Sequence, residues 1–407
     1  MKILHTSDWH LGKRLEDFPR LGEQKAVLQE ICEIADKEQV HAVIVAGDLF
    51  DTYNPPAEAV DMFYKVMKKL SDNGKRAVIA ISGNHDSPDR IESPDPLARE
   101  CGIIFIGYPD TVVPEFELES GLKLLASCEG YIELQLPDVE EPLRIIHTAY
   151  ANEYRLKTYL GSDDREEQLR EVLERKWKDT AGKFCDNRGV NILTGHLFIA
   201  KEGAELPEEP EDEKPILHLG GAQVIYTRAL PADIQYAAFG HLHRKQIIDK
   251  TPCPAVYSGS PLSYSFSEAG RKKYVIVADL HPGEKTVIRE IELLSGKKLM
   301  RYRAKNIGDA VEWLYNHSDC LVELTIISDT YLTAKDRKLL LGTHDGIVNI
   351  IPEIRNKDLL SGGKSSIDLT KSTAELFREY FLHEKGQEPN ERIMAIFNEV
   401  LSADEKE

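Results

Sequence analysis

Three apolar strands separated by two amphipathic helices constrain the fold of the first third of the chain. The pattern predicts strands at 2–6, 41–46 and 76–81, with helices at 23–39 and 57–72 between them. The second strand is apolar almost throughout, which is typical of a strand buried on both faces. This alternation predicts an α/β fold whose parallel strands are joined by right-handed helical crossovers.

Short polar motifs stand where five of the predicted strands end. They are Asp8-Trp9-His10, Gly47-Asp48, Gly83-Asn84-His85-Asp86, Gly195-His196 and Gly240-His241-Leu242-His243. In open α/β sheets, ligand sites form beyond the carboxyl ends of the strands. Asp, Asn and His side chains without Cys suit Mn²⁺, Fe²⁺ or Zn²⁺ in a hydrolytic site with two metal ions. The motifs therefore indicate a metal-dependent enzyme that cleaves phosphate esters.

The residue types in these motifs suggest individual roles. Asp48 is the candidate bridging ligand, because a carboxylate can bind two metal ions with its two oxygens. Asn84 offers an amide oxygen as a hard ligand. His85 is the candidate acid–base group, since the pKa of a histidine lies near neutrality. Asp86 is expected to orient the imidazole of His85 through a hydrogen bond.

Each motif also has a plainer interpretation when it is read alone. Asp8 and His10 fit a surface turn, Asn84-His85 fits a turn without chemistry, and a single buried histidine such as His196 is more often structural than a ligand. The pair His241 and His243 is harder to dismiss, because alternate residues project in the same direction. The remaining histidines lack this context and are expected to be structural. The joint occurrence of five such motifs at strand ends favours the metal site.

Composition limits the class of protein. The formal net charge of −18 argues against a surface that coats nucleic acid broadly, although bound divalent metals would change the balance within a cleft. Part of the negative charge lies in an acidic stretch at 202–213, expected to be a loop. The six cysteines are widely spaced, which favours reduced thiols in a cytosolic protein. No apolar run is long enough to span a membrane, and the first strand leaves no room for a signal peptide.

The motifs stop near residue 281, and the later sequence has a different organisation. Residues 1–281 are expected to form the domain that carries the motifs, and 282–355 a small α+β domain. Residues 356–370 are expected to form a linker and 371–407 a helical tail. The tail carries two apolar stripes, which fit either packing within the chain or contact with a partner.

With its motifs in this order, the chain resembles calcineurin-type metallophosphoesterases. More narrowly, it is similar to the SbcD nuclease family, bacterial relatives of the double-strand-break repair nuclease of archaea and eukaryotes. The residues around the motifs carry the narrower likeness: MKILHTSDWHLG at 1–12, VAGDLFDT at 45–52, SGNHDS at 82–87, AFGHLHR at 238–244 and YSGSP at 257–261.

The resemblance implies a metallophosphoesterase β-sandwich flanked by helices, with an α+β DNA-capping domain and C-terminal helices. It implies that two divalent metal ions, usually Mn²⁺ in the family, are bound. One would be held by Asp8, His10, Asp48 and His243, and the other by Asp48, Asn84, His196 and His241. His85 would be the catalytic histidine that assists the leaving 3′ oxygen. Asp51 joins the catalytic candidates because archaeal and eukaryotic relatives carry a histidine there that is tied to exonuclease action.

The same resemblance implies an activity and partners. The activity would be exonuclease action on double-stranded DNA and endonuclease action on single strands and hairpins, in DNA repair and recombination. The partners would be DNA and SbcC, an ATPase with a long coiled coil, in a heterotetramer that contains a homodimer of the nuclease. The alternatives are a phosphodiesterase or phosphatase of the same fold that acts on nucleotides, RNA or phosphoproteins, and a scaffold that has lost its chemistry. The presence of every expected ligand and of His85 disfavours the scaffold.

Overall fold

The computed structural model describes residues 1–156, 165–207, 209, 224–328, 332–354, 373–385, 389, 393, 394 and 397. These residues divide into two compact units. The first contains residues 1–326 and 333–351, and the second contains the helix Thr373–Lys385. The predicted linker at 356–370 lies outside the described residues, as do most of the tail after residue 385 and much of the acidic stretch at 202–213.

The described residues contain twenty strands and nine α-helices. The strands are β1 (Lys2–Thr6), β2 (Arg14–Leu15), β3 (Phe18–Pro19), β4 (Ala42–Ala46), β5 (Ala77–Ile81), β6 (Ile103–Ile106), β7 (Lys123–Cys128), β8 (Tyr131–Gln135), β9 (Leu143–Thr148), β10 (Val190–His196), β11 (Ile199–Ala200), β12 (Ile225–Tyr226), β13 (Tyr236–Gly240), β14 (Gln246–Asp249), β15 (Ala255–Tyr257), β16 (Lys273–Asp279), β17 (Val287–Leu293), β18 (Lys298–Ala304), β19 (Cys320–Ser328) and β20 (Ile347–Ile354). The helices are α1 (Leu21–Lys37), α2 (Ala57–Leu70), α3 (Pro88–Glu92), α4 (Asp95–Arg99), α5 (Glu153–Leu156), α6 (Arg165–Phe184), α7 (Ile307–Asn316), α8 (Ala334–Thr343) and α9 (Thr373–Lys385).

Two large sheets form the centre of the first unit. The six-stranded sheet has the order β17-β16-β1-β4-β5-β6, in which β1, β4, β5 and β6 are parallel. The seven-stranded sheet has the order β14-β15-β13-β10-β9-β8-β7, in which β9, β10, β13 and β15 are parallel. Apolar side chains of both sheets, such as Ile44 and Ile79 from one and Ile145 and Ile192 from the other, form a shared buried core.

Helices cover the outer faces of this sandwich. Val27 of α1 and Phe63 of α2 pack with Val43 and Val78 on the outside of the six-stranded sheet. Trp177 of α6 packs with residues on the outside of the seven-stranded sheet. The predicted β-sandwich flanked by helices is therefore confirmed, and β4 is buried on both faces as its apolar sequence indicates.

A third sheet, of three strands in the order β18-β19-β20, follows the sandwich, and α7 and α8 accompany it in the sequence. The strand before it, β17, pairs along its whole length with β16 in the six-stranded sheet. The boundary predicted at residue 282 therefore falls before the last strand of the sandwich, because the alternating pattern of β17 does not reveal which sheet the strand joins.

The described helices include none with the length and hydropathy needed to cross a membrane. In the second unit, the ring of Phe377 on α9 stacks on the ring of Phe397, with centroids 3.9 Å apart. The Tyr380 side chain of the same helix is 64% exposed. The apolar residues of the tail are therefore partly packed within the chain and partly exposed.

Candidate metal centre

The polar motifs meet at one edge of the sandwich, where the parallel strands of both sheets have their carboxyl ends. Each motif lies at or directly after the end of β1, β4, β5, β10 or β13. Because the two sheets pack face to face, their carboxyl ends face a common cleft. The candidate ligands from the five strand ends are thus neighbours in space, although 235 positions in the chain separate Asp8 from His243.

The backbone of these loops adopts unusual conformations. Asp8, His10, Asp48 and His241 all have positive φ angles, of 53°, 43°, 48° and 111°. Such conformations are costly for residues other than glycine and concentrate at functional sites. Gly83 permits a close approach of another kind, since a Cβ at this position would lie 2.1 Å from Asp48 Oδ1. The chain is therefore bent to bring the loops after β4 and β5 together.

One cluster of ligand atoms consists of Asp8, His10 and His243, whose side-chain atoms all lie within 4.8 Å of one another. His10 Nε2 is 3.0 Å from His243 Nε2 and 3.7 Å from Asp48 Oδ2. Asp8, His10 and His243 are at most 2% exposed. Two imidazoles and two carboxylates thus converge on one buried point.

A second cluster lies beside the first and shares its carboxylates. His196 Nε2 is 2.9 Å from Asn84 Oδ1 and 3.2 Å from Asp48 Oδ2, and Asp8, Asp48 and His196 form a second group of mutually close ligand atoms. The His241 ring centroid is 5.6 Å from that of His196. Asp48 Oδ2 is therefore close to histidines of both clusters, as a bridging ligand must be.

Each of the four imidazoles has one ring nitrogen near an oxygen on the far side of the ring. His196 Nδ1 is 2.9 Å from Ala46 O, and His241 Nε2 is 2.7 Å from Glu209 Oε1. His243 Nδ1 is 3.9 Å from Glu268 Oε2, and His10 Nδ1 is 3.7 Å from Asp51 Oδ1. For His196 and His241 the oxygen is within hydrogen-bond distance, so it fixes the tautomer and directs the other ring nitrogen toward a metal ion.

The electrostatics of the cleft favour a cation. Burial raises the pKa of Asp8 to about 7, although His196 opposes the shift. Burial acts in the same direction on Asp48, but the nearby His196, His85 and His10 outweigh it and hold the pKa of Asp48 well below its usual range. Burial lowers the pKa of His196, yet the Asp48 carboxylate outweighs this effect and raises the pKa to about 9. Asp48 therefore carries a buried negative charge that the neighbouring imidazoles stabilise and that a bound cation would stabilise in their place.

Two buried atoms test whether the residues fit a metal ion. Asp48 Oδ2 and His241 Nδ1 have no hydrogen-bond partner among the described residues. A buried polar atom without a partner costs free energy, and in native proteins it is explained by strain, by a catalytic role or by a bound water or ion. A carboxylate oxygen and an imidazole nitrogen of this kind, beside Asn84 Oδ1 and His196 Nε2, form a donor set suited to divalent ions such as Mn²⁺ or Zn²⁺. The residues present thus fit a divalent metal ion.

His85 lies beside these clusters and is tied to them through its backbone. Its N–H donates a hydrogen bond to Asp48 Oδ1 over 2.9 Å, and its Nδ1 is 2.8 Å from Asp51 O. Its ring stands edge-on to the His10 ring, with centroids 4.9 Å apart. The side chain is nearly buried, at 5% exposure. An imidazole in this position can exchange a proton with a group bound next to the clusters.

The family model for calcineurin-like phosphoesterases matches residues 1–245. The SbcD subunit of the SbcCD nuclease of Bacillus subtilis is 37% identical over 418 residues, an alignment that covers 100% of this chain and 99% of that protein. The chain belongs to the SbcD family. The SbcD subunit of Staphylococcus epidermidis is 30% identical, with 73% of this chain and 72% of that protein covered. That of Escherichia coli K12 is 26% identical, with 98% of both covered. Membership of this family of nuclease subunits makes the chain a phosphodiester hydrolase.

One predicted contact in this SbcD-family site is wrong. The Asp86 carboxylate accepts hydrogen bonds from the backbone N–H groups of Gly83, Leu49 and Phe50, over 2.8 to 3.0 Å, and none from the His85 imidazole. Its two oxygens point into the loops after β4 and β5, because three neighbouring N–H groups converge there. Asp86 therefore fixes the two loops to each other and does not orient the imidazole.

Asp51 is closer to the histidines than Asp86. Its backbone oxygen faces His85 Nδ1, and its carboxylate lies 3.7 Å from both His10 Nδ1 and Lys13 Nζ. The side chain is 27% exposed and borders the cleft, and its carboxylate forms a third group of mutually close ligand atoms with His10 and His85. This position makes Asp51 a neighbour of a candidate ligand and of the candidate acid–base group.

The sequence analysis missed several residues that support the SbcD-family site. Glu268 and Glu209 stand behind two candidate ligands, and the partly buried Lys273 pairs with Glu268. The guanidinium of Arg155 contacts the loop that carries Asn84 and His85. None of the four lies in a motif at a strand end. Only tertiary packing brings them to the site, so the local sequence pattern carries no signal for them.

Proposed function

We propose that the chain is a Mn²⁺-dependent DNA nuclease subunit with double-strand exonuclease activity and with endonuclease activity on single strands and hairpins. The observation that carries the proposal is the position of Asp48. Its Oδ2 lies between His10 and His196, and its Oδ1 accepts the N–H of His85. A shared carboxylate between two ligand clusters, with an acid–base group attached to it, is suited to hydrolysis of a phosphodiester.

The proposed ligand sets follow the two clusters. Asp8, His10, Asp48 and His243 hold one divalent ion, called the first ion, and Asp48, Asn84, His196 and His241 hold the other, called the second ion. When bound, the two ions supply Lewis-acid stabilisation of phosphate oxygens and lower the pKa of water. The oxygens hydrogen-bonded to His196 and His241 keep these two imidazoles in the tautomer that a ligand requires, and the carboxylates of Asp51 and Glu268 lie 3.7 and 3.9 Å from His10 and His243.

His85 contributes the proton transfer. Asp51 O, 2.8 Å from Nδ1, favours the tautomer that carries its proton there, and protonation of the other ring nitrogen gives the acid form. That form donates a proton to the leaving 3′ oxygen of DNA. The hydrogen bond from its backbone to Asp48 holds His85 beside the carboxylate that would bind both ions, and such positioning favours general acid catalysis.

The names of the relatives support a partner. They are SbcD subunits of a complex named SbcCD, and we propose that this chain likewise works with an SbcC-type ATPase in a heterotetramer that contains a homodimer of the nuclease. The part of 282–355 that follows β17 is proposed to cap DNA, with its own sheet formed by β18, β19 and β20. The tail at 371–407, with its partly exposed α9, is proposed to bind the coiled coil of the ATPase.

The decisive experiment compares three substrates in Mn²⁺, with and without an SbcC-type ATPase: blunt duplex DNA, a DNA hairpin and bis-p-nitrophenyl phosphate. The expected result is degradation of both DNA substrates, stimulated by the ATPase. Hydrolysis of the small diester with both DNAs untouched would move the substrate to the nucleotide or phosphoprotein class. No hydrolysis of any substrate would overturn the proposal.

A further inference from the structure

A buried arginine holds the loop that carries Asn84 and His85. Arg155 lies on α5, a single helical turn that follows β9 of the seven-stranded sheet. Asn152 caps this turn, since its Oδ1 accepts the Arg155 N–H over 2.9 Å. The arginine is only 3% exposed. The chain thus places a guanidinium from the seven-stranded sheet against a loop of the six-stranded sheet.

The guanidinium spans this loop from one end to the other. Nη1 donates to Gly83 O over 2.8 Å, and Nη2 donates to Asp86 O over 2.8 Å. Gly83 and Asp86 are the first and last residues of the motif, so both candidate functional side chains lie between the two anchored carbonyls. Nη2 also donates to Tyr53 Oη over 3.1 Å. The planar fork of an arginine carries its donors on separate nitrogens in fixed directions, so it reaches acceptors that lie further apart than those bound by the single nitrogen of a lysine.

The other side of the loop is held by carboxylates. The Asp86 carboxylate accepts the Gly83 N–H, and Asp48 Oδ1 accepts the His85 N–H. The N–H groups of the loop are therefore bound on one side by the carboxylates, and its carbonyls are bound by Arg155. This arrangement leaves the loop little freedom to shift relative to Asp48.

A buried guanidinium is a costly way to fill space. Removing a charge from water carries a penalty that only well-oriented acceptors offset. Arg155 makes no salt bridge among the described residues, and its acceptors are the carbonyls, two hydroxyl oxygens and the face of Tyr150, whose centroid is 4.9 Å from Cζ. An apolar side chain would fill the same volume at a lower cost in desolvation free energy. The presence of an arginine therefore indicates that its hydrogen bonds serve to hold the loop in position.

We propose that Arg155 is a positioning residue for the Asn84–His85 loop. It sets the position of the Asn84 amide oxygen, and hence the affinity of the second ion, and it sets the position of the His85 imidazole. It does not touch the substrate. This inference rests on the proposed function, because it assigns Asn84 to the second ion and His85 to proton transfer.

The test compares Arg155→Lys with Arg76→Lys. Arg76 is a matched control, since it is also buried and also donates to backbone carbonyls, those of Val40 and Leu70, at the opposite end of β5. Mn²⁺ binding is measured by calorimetry on the full chain, together with thermal unfolding without metal and steady-state hydrolysis of bis-p-nitrophenyl phosphate. In Arg155→Lys we expect the second ion to bind about 10- to 100-fold more weakly, while the first ion is unaffected.

The kinetic expectation is specific to positioning. In Arg155→Lys kcat falls by about 100-fold with KM unchanged, because a misplaced catalytic group slows the chemical step. Arg76→Lys lowers Tm without altering Mn²⁺ affinity or kcat. Millimolar guanidinium ion partly restores kcat in Arg155→Ala, which a general loss of packing would not permit. If Arg155→Lys does not fold, Asn152→Ala, which removes the cap, shows the same selective loss to a smaller degree.

Other outcomes separate the inference from the proposed function. The positioning role alone would be overturned if the folded Arg155 variant bound two ions with wild-type affinity and had an unchanged kcat. It would also be overturned if the affinities of both ions fell equally. In the Asn152→Ala fallback, an unchanged affinity for the second ion would overturn it as well. A wild-type chain that binds no Mn²⁺ and hydrolyses nothing would instead overturn the proposed function on which the inference rests.

Discussion

The backbone N–H of His85 donates a hydrogen bond to Asp48 Oδ1 over 2.9 Å. The candidate acid–base group after β5 and the candidate bridging ligand after β4 are thereby held at a fixed separation. The bond uses the backbone of His85 and not its imidazole. Removal of the imidazole should therefore leave the metal ligands in place. Removal of the Asp48 carboxylate should disturb both the metal ligands and the position of His85.

Asp48→Ala should abolish binding of both metal ions and reduce hydrolysis to background. The carboxylate lies near His10 and near His196, so its loss removes a ligand from each cluster. Measurement of Mn²⁺ bound per chain, together with bis-p-nitrophenyl phosphate turnover, checks the prediction. Retention of one tightly bound ion would show that Asp48 is not shared between the two sites.

His85→Ala should keep both ions and lower kcat by about 10²- to 10⁴-fold, the usual contribution of general acid–base catalysis. The small side chain leaves the backbone hydrogen bond to Asp48 possible. Metal binding by calorimetry and turnover on the same preparation are the measurements. Full turnover in this variant would mean that another group protonates the leaving oxygen.

The fold was largely predictable because its signals are local. The apolar run at 41–46 predicts a buried strand, and the structure has β4 at Ala42–Ala46 with both faces covered. The meeting of the motifs was predictable for a topological reason, since the carboxyl ends of parallel strands share one edge of a sheet. The position of β17 at the edge of the six-stranded sheet was missed, because the motifs stop near residue 281 and β17 was assigned to the following domain. In the structure, a short hairpin pairs β17 with β16.

The supporting residues were not predictable from local patterns. The direction of the Asp86 carboxylate depends on three N–H groups from two loops, one of them bent by the positive φ of Asp48. Arg155 and Glu268 come from parts of the chain distant from the residues they contact. Their roles depend on how the sheets pack, which no single segment of the sequence encodes.

Glu268→Gln should selectively weaken the binding of the first ion, lowering its affinity by about 10- to 100-fold. The buried Glu268 carboxylate lies 3.9 Å from His243 Nδ1 and is held by Lys273 and by the N–H of Tyr264. The amide keeps the shape but loses the negative charge that supports the imidazole. Glu292→Gln, which alters a surface pair with Lys272, is the control and should change nothing.

Calorimetric titration of Mn²⁺ distinguishes the two positions, because Glu268→Gln and Arg155→Lys should affect different ions. A Glu268 variant with unchanged affinity for the first ion would limit Glu268 to a structural role beside Lys273.

His147 should make the stability of the fold sensitive to acid. Burial lowers its pKa to about 3, and neither ring nitrogen has a hydrogen-bond partner among the described residues. The folded chain therefore holds His147 neutral, whereas the unfolded chain binds a proton below the ordinary pKa of about 6.5. Since the unfolded state binds more protons in this range, the stabilising contribution is complete above pH 6.5 and is lost as the pH falls towards 3.

His147→Leu should flatten this dependence, lowering the slope of the free energy of unfolding against pH by up to about 1.4 kcal/mol per pH unit between pH 6 and 4. Urea unfolding at a series of pH values measures the slope. His281→Leu is the control, because His281 is exposed and its ring lies 3.5 Å from Asp279 Oδ1 at the surface. The same slope in wild type and His147→Leu would show that His147 is not held neutral, since a proton taken up only on unfolding must vanish with the imidazole.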